Sequence, residues 1–381
     1  MKIRKTFSEQ FSCWFNLRPK NKTHLKSAFG ITLIMFSLIF LPENLCAQDV
    51  PPGDESADSA KNFSFVPVPY VNYNRSTGFA AGLMPMAMYN LNKNDTVSPQ
   101  SLSSVIGFYT TNKSWFIMAF SRFYFAEDKW RLNVAAGSGN INYQFYLSGP
   151  IDQYFPYNTG IRFAYLGFER KTIGNLYAGM NFIVSSAETT LTEADSIKQI
   201  NDNFGVGFSL TVDERSHQYY PSSGYVSKLN LRHYIEQGGK ENSSRLEFDY
   251  NHYFPSRNKK DVFAARLYTG MGLGKLDFTQ QFVVGKTDIR GYSQGKYRAD
   301  NVIALQGEYR WNFHKKIGVV GFAGIATVFE AINEEQNWKP LPGIGAGFRY
   351  NVFPKNHMNM GLDFAAGIDD WGVYFKVGEA F

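Results

Sequence analysis

From Thr77 onward, the chain is a succession of segments in which apolar and polar side chains alternate with a period of two. That period belongs to β-strands, whose successive side chains point to opposite faces of a sheet. Phe204, Val206, Phe208, Leu210 and Val212 alternate with Gly205, Gly207, Ser209, Thr211 and Asp213. Met358, Met360, Leu362 and Phe364 alternate in the same way with Asn359, Gly361, Asp363 and Ala365, and Trp130, Leu132, Val134 and Ala136 with Arg131, Asn133 and Ala135. After residue 47 no run of 18 apolar residues occurs, so no transmembrane helix is expected there.

A soluble sandwich and a membrane barrel both produce alternation, and segment length separates them. The segments run to about 10–14 residues, longer than the usual ~5–6 of soluble sheets and suited to a tilted bilayer span. The aromatic content, 17% with 34 Phe and 23 Tyr, beside a negative mean hydropathy, fits strands apolar on one face only. A closed barrel also satisfies every backbone N–H and C=O in hydrocarbon. The sequence therefore predicts an all-β transmembrane antiparallel barrel of about sixteen strands. They are read at 77–90, 101–111, 114–124, 129–137, 141–148, 159–170, 174–188, 203–213, 224–235, 244–254, 261–273, 302–313, 317–329, 341–351, 358–367 and 371–381.

Connector length gives the orientation. Long polar connectors at 91–100, 189–202, 274–301 and 330–340 alternate with tight ones at 112–113, 314–316 and 352–357. Long outer loops and short periplasmic turns are the layout of outer-membrane barrels, with 214–223 the exception on the short side. Pro67 and Pro69 argue against a sheet-interior strand, so 48–76 is read as a short periplasmic leader and 77–381 as the barrel.

Residues 1–47 have the layout of a secretory signal: a basic start, an apolar run at 28–41, and a small-residue exit at Ala47. The segment holds seven Lys or Arg against two Glu, which is +5 of the formal +6. The basic balance thus belongs to export, and no nucleic-acid partner is expected. Cleavage after Ala47 removes both Cys13 and Cys46, leaving no disulfide or thiol chemistry; a lipidated Cys46 is the alternative, against which bulky Leu45 weighs.

The stretch 274–301 lacks regular periodicity, and a gap that long is usually functional or disordered. It carries Ile289-Arg290-Gly291-Tyr292 and leads into a strand whose polar face holds Gln306, Glu308, Arg310 and Asn312. The Ile-Arg-Gly-Tyr run resembles the loop motif of the BamA/TamA superfamily of bacterial surface antigen barrels. Asp213-Glu214-Arg215 followed by Pro221 and Gly224 is similar to a second motif of that family. The last strand, with Trp371, Val373, Phe375 and Val377 on one face and Phe381 at its end, resembles the closing strand of outer-membrane proteins, although Glu379 stands where an apolar residue is usual.

The resemblance implies that Arg290 folds with its long loop into the lumen and pairs with Glu308, beside Arg310. Gly324 stands where many members carry Asp, which predicts one carboxylate partner for Arg290 where others have two. Arg349 and Asp363 fall on the lumen face of adjacent strands and form a candidate pair; Lys228, Arg232, Arg245, Glu247, Asp249 and Arg266 also face inward. The family further implies a role in outer-membrane protein insertion or polypeptide translocation, with the seam between 77–90 and 371–381 opening. Leader 48–76 is too short for the POTRA domains that precede such barrels. Expected partners are outer-membrane lipids, unfolded outer-membrane proteins and a periplasmic accessory protein, with homo-oligomer formation left open. A passive pore or structural barrel is the alternative. No catalytic site, metal site or cofactor is expected: His24, His217, His233, His252, His314 and His357 lack ligand spacing, and no nucleophile elbow or phosphate loop occurs.

Overall fold

The computed structural model describes residues 63–148, 153–191, 198–236, 241–257, 260–277, 280–285, 288–314, 316–353 and 358–381. The expected signal segment, its Ala47 exit, His24 and His357 lie outside the described residues. The period-two segments form strands β1 (Phe63–Asn74), β2 (Gly78–Tyr89), β3 (Ser101–Thr110), β4 (Trp115–Phe125), β5 (Trp130–Leu147) and β6 (Gln153–Lys171). They continue as β7 (Leu176–Leu191), β8 (Lys198–Asp213), β9 (Gly224–Glu236), β10 (Ser243–Ser256) and β11 (Asp261–Leu273). The two-residue β12 (Phe282–Val283) lies within the long loop; β13 (Arg298–Asn312), β14 (Ile317–Ala331), β15 (Leu341–Phe353), β16 (Met358–Gly367) and β17 (Asp370–Val377) follow. Each long strand pairs antiparallel with the next, and β17 meets β1, so sixteen strands close a barrel. Among the described residues no helix is long and apolar enough to cross a membrane.

The number sixteen agrees with the sequence reading because two differences cancel. Phe63–Asn74, expected as leader, is the first barrel strand and pairs along its whole length with β2. Pro67 and Pro69 are accommodated because β1 stands at the seam, where its other edge meets β17 only at Asn72–Tyr374 and Tyr73–Val373. Strands expected at 129–137 and 141–148 are instead one strand, β5. The break expected at 138–140 does not occur, and Gly137 and Gly139 are slots in the continuous strand. A Cβ on Gly137 would meet the Phe163 ring at 2.6 Å, and one on Gly139 the Phe116 ring at 2.6 Å.

This shift inverts the ends assigned to the first connectors. Segment 91–100, expected beside the long loop, lies at the opposite end with 214–223, where the Tyr219 hydroxyl donates to the Gln100 carbonyl at 2.5 Å. The 112–113 turn lies instead at the long-loop end: Asn112 Nδ2 donates to Ser76 O at 3.3 Å, and Ser76 Oγ donates to Gln294 O at 2.7 Å.

Beside its inward charges the lumen has an apolar wall. Met84, Met86 and Met88 of β2, Phe116, Met118 and Phe120 of β4, and Ile141, Tyr143 and Phe145 of β5 point inward into one buried cluster with Phe155, Tyr157 and Phe163 of β6. The rings stack, Phe116 on Phe163 at 6.4 Å and Phe145 on Phe155 at 5.6 Å. Each such side chain contributes about 1.5–3 kcal/mol when removed from water, so this wall is held from inside as well as by its ladder. Intervening side chains such as Trp115, Ile117, Val134 and Leu166 are exposed apolar surface, as lipid contact requires.

β5 to β8 are longer than the strands near the seam and mark the edge of the apolar belt. The outward row Ala136, Ala164, Val184 and Phe204 is continuous across their registers. The next outward row toward the long-loop end is Ser138, Arg162, Ser186 and Asp202. Lipid contact therefore ends between the two rows, and these hairpins continue beyond it.

Candidate functional site: a ring of six buried charges

The long loop between β11 and β13 enters the lumen against the small residues of β15 and β16. Gly291, at φ +106°, approaches so closely that a Cβ there would sit 2.6 Å from the Ala366 carbonyl carbon. Along the inward row of β15, Gly343, Gly345 and Gly347 leave a groove. A Cβ at Gly343 would meet Arg290 O at 2.4 Å, and one at Gly345 the Phe322 ring at 2.3 Å. The Arg290 backbone thus lies over Gly343, and its guanidinium stacks 3.3 Å from the Phe322 ring centroid.

Its charge is matched on both sides. Arg290 Nη2 is 2.7 Å from Glu308 Oε2, and Nη1 is 2.6 Å from Asp363 Oδ2. Glu308 Oε1 also accepts from Arg310 Nε at 3.0 Å, and Asp363 Oδ1 from Arg349 Nη1 at 2.5 Å. Glu379 closes the circle, its Oε2 lying 2.7 Å from Arg349 Nε and 3.9 Å from Arg310 Nε. Three arginines and three carboxylates thus alternate in a closed ring, and all six are buried. Six isolated charges would be prohibitive in such surroundings; alternation leaves the ring neutral, with every member facing two opposite charges. The ring ties together the long loop, β13, β15, β16 and the residues after β17.

Further contacts fix the loop around Arg290. Gly291 N donates to the Tyr374 hydroxyl at 3.0 Å, and the Tyr292 hydroxyl donates to Pro342 O at 2.6 Å. Ile289 is buried with Tyr292 in a second apolar cluster. Ser293 N and Oγ donate to the Asp370 carboxylate at 2.6 and 2.9 Å. The Gly295 carbonyl accepts from Tyr146 N at 3.3 Å on the far wall, so the loop crosses the lumen.

The second motif occupies the other end. Asp213 accepts from Arg215 Nε at 2.7 Å and from Arg131 Nη1 at 2.8 Å. Gly224 takes φ +88°, and a Cβ there would fall 1.9 Å from Glu214 O. Pro221 O accepts from Arg310 Nη1 at 3.4 Å, and the Tyr220 hydroxyl accepts from Asn312 Nδ2 at 2.9 Å. Arg310 therefore links this connector to the ring. Of the other inward charges, Arg266 pairs with Asp249 at 2.6 Å and Arg245 with Glu247 at 3.1 Å.

Gly324 does not leave Arg290 with a single carboxylate, because Asp363 supplies the second; a Cβ at position 324 would meet Gln306 Cγ at 2.8 Å. Arg310 does not touch Arg290 but reaches it through Glu308. The last strand is not continuous to Phe381. β17 ends at Val377, and Phe381 is buried inside the barrel, not facing lipid with Trp371. In sequence Glu379 only breaks an apolar pattern; its companion signal is the glycine row 343–347 followed by Arg349. Among the described residues no group of three or more His, Cys, Asp or Glu is placed to hold a metal.

The profile of the Omp85 superfamily domain matches residues 91–368, most of the chain. The chain belongs to the Omp85 superfamily. Solved structures agree with that fold. BamA from Haemophilus ducreyi lacking POTRA domains 1–3 is 12% identical with a TM-score of 0.54, over 90% of this chain and 76% of that one. CdiB from Acinetobacter baumannii is 14% identical with a TM-score of 0.58, over 84% of this chain and 60% of that one. CdiB from Escherichia coli is 12% identical with a TM-score of 0.58, over 87% and 67% respectively. No curated protein sequence matches the chain. As an Omp85 barrel, the protein is a bacterial outer-membrane protein of the BamA/TamA type.

Proposed function

We propose that this Omp85 barrel inserts outer-membrane proteins or translocates polypeptide, using the seam between β1 and β17. One observation carries the reading: the seam ladder has two residue pairs, whereas β1 pairs with β2 along its full length. A backbone hydrogen bond contributes only about 0.5–1.5 kcal/mol net, so this junction is the cheapest place to open the wall. Similarity of fold to BamA and CdiB supports the same role. The buried ring, Arg290 with Glu308, Arg310, Asp363, Arg349 and Glu379, then holds the long loop as an internal strut while the seam moves. Asp213, Arg215, Pro221 and Gly224 hold the opposite end. Ile289, Gly291 and Tyr292 seat the loop against the wall.

The partners under this reading are an unfolded outer-membrane polypeptide, the surrounding lipids and a periplasmic accessory protein that delivers the client. Segment 1–47 directs export and is removed after Ala47, leaving a short periplasmic leader before the barrel. The long-loop end faces outward and 214–223 faces the periplasm. The reading includes no catalysis and no cofactor. A passive pore finds less support, since Phe116, Phe120, Phe155 and Phe163 are buried together in one apolar cluster on the inner side of the wall.

The test is a disulfide across the seam between Asn72→Cys and Tyr374→Cys, register partners in the ladder. The protein is reconstituted in liposomes, and insertion of an unfolded outer-membrane protein is followed with the bond formed and reduced. Insertion should be lost on oxidation and recovered on reduction. Equal insertion in both states would remove the seam from the mechanism.

A further inference from the structure

At the end of the barrel that holds 214–223, two short connectors stand side by side, 257–260 between β10 and β11 and 313–316 between β13 and β14. Asn312 ties them together: its Nδ2 donates to Lys260 O and to the Tyr220 hydroxyl, each at 2.9 Å, and its N–H donates to Asp261 Oδ1 at 3.0 Å. The Lys316 carbonyl accepts from Asn351 N at 2.9 Å, which fixes the second connector to β15. Arg257, Lys260 and Lys316 are exposed.

From Phe254 to Val262 and from Trp311 to Gly318 the sequence has one carboxylate, Asp261. It is buried and already committed, accepting from Arg257 Nη2 at 2.9 Å, the Tyr309 hydroxyl at 2.7 Å and Asn312 N. That pairing holds the Arg257 guanidinium over the Trp311 ring, 5.9 Å from its centroid. Among the described residues, neither Lys260 nor Lys316 has a carboxylate partner. The opposite wall differs: at the same end, 126–129 sets Glu127 and Asp128 against Lys129, and 172–175 holds no charge.

The outward faces of the same strands end in exposed rings. Phe254 pairs with Phe263 and Phe263 with Tyr309, while Trp311 and Phe313 follow at 5.3 Å from each other. Such a row marks the depth at which acyl chains meet headgroups, and the cations stand just beyond it. We propose that these two connectors bind an anionic phospholipid of the inner leaflet, its phosphate met by Lys260 and Lys316 and its chains lying on Trp311 and Phe313. Basic groups at an anionic membrane surface gain an attraction that fades within a Debye length, so short connectors at headgroup depth use it fully. An acidic protein would match the cations but not the rings beside them. Lipid is already a partner in the reading above; this inference rests on the orientation given there and not on the seam.

The test uses the full chain in nanodiscs of phosphatidylcholine with a minority of phosphatidylglycerol, and native mass spectrometry counts the lipids kept by the released barrel. The unaltered protein should keep phosphatidylglycerol several-fold above its share. Lys260→Glu with Lys316→Glu should abolish that enrichment. Lys93→Glu with Lys113→Glu, an equal change of net charge at exposed positions elsewhere, should preserve it. No enrichment in the unaltered protein, or equal loss in both pairs, would overturn the site. Release of the lipid by millimolar inorganic phosphate would also overturn it, since the chains would then add nothing to recognition. Folding is followed by heat-modifiable gel mobility, and if the Glu pair does not fold, Lys260→Gln with Lys316→Gln decides. Orientation is read apart, with a membrane-impermeant maleimide on Lys260→Cys. Labelling only after the outer membrane is permeabilised supports the inner leaflet, whereas labelling of intact cells would overturn the orientation and, with it, the choice of leaflet.

Discussion

Arg290 gains its position from two carboxylates that lie far apart in sequence, Glu308 and Asp363. Arg290→Ala leaves both partly uncompensated in a buried site, at a cost of about 3–5 kcal/mol. The folded band in heat-modifiable electrophoresis should then be lost at lower temperature. Arg290→Lys should recover only part of the loss, because one ammonium cannot reproduce two forks of a planar guanidinium. Glu308 was legible beforehand, since parity within a single strand puts it inward. Arg349 and Asp363 were legible as lumen-face positions on adjacent strands; they sit diagonally, Arg349 opposite Gly361 and Asp363 opposite Gly347, and their side chains meet at 2.5 Å. Glu379 was not legible. Its parity pointed to lipid, and only the left-handed turn at Gly378 carries it inside. A one-residue change of backbone hand thus outweighs a period-two pattern.

The strands show where pattern reading succeeds and where packing overrides it. β8, β13 and β16 follow their alternation because one face meets lipid and the other meets polar partners. In β5 the run Gly137-Ser138-Gly139 has the composition of a turn, and local chemistry alone cannot distinguish a turn from a slot for a ring on the next strand. Gly137→Leu and Gly139→Leu separate the two. A turn would tolerate both; a strand whose Cβ positions meet Phe163 and Phe116 at 2.6 Å would not. Each should cost about 1–3 kcal/mol through overpacking, read as a lower urea midpoint for unfolding from lipid vesicles. β1 makes the complementary point: Pro67 and Pro69 mark a seam strand, because a seam is the one edge a closed barrel retains.

For the whole molecule, class and strand number could be reached from the sequence because hydrocarbon leaves few solutions for the backbone. The division of the lumen could not. An apolar inward row on β2 to β6 reads like extra lipid contact until the neighbouring rings show what it packs against. That division bears on conduction. With the aromatic wall on one side and the loop and ring on the other, planar bilayers holding the protein should show a closed baseline. Steady ohmic steps would mean that the lumen is open and would favour a passive pore.

The row Ala136, Ala164, Val184 and Phe204 has a meaning for the surroundings of the barrel. Above it β5 to β8 stand as a parapet, while at the seam the β16–β17 hairpin turns over at Ile368 and Asp369 and the β1–β2 hairpin at 75–77. The rim is a cup with one side cut down. If polypeptide leaves by the seam, it leaves over the low lip, facing the membrane, with the high wall at its back.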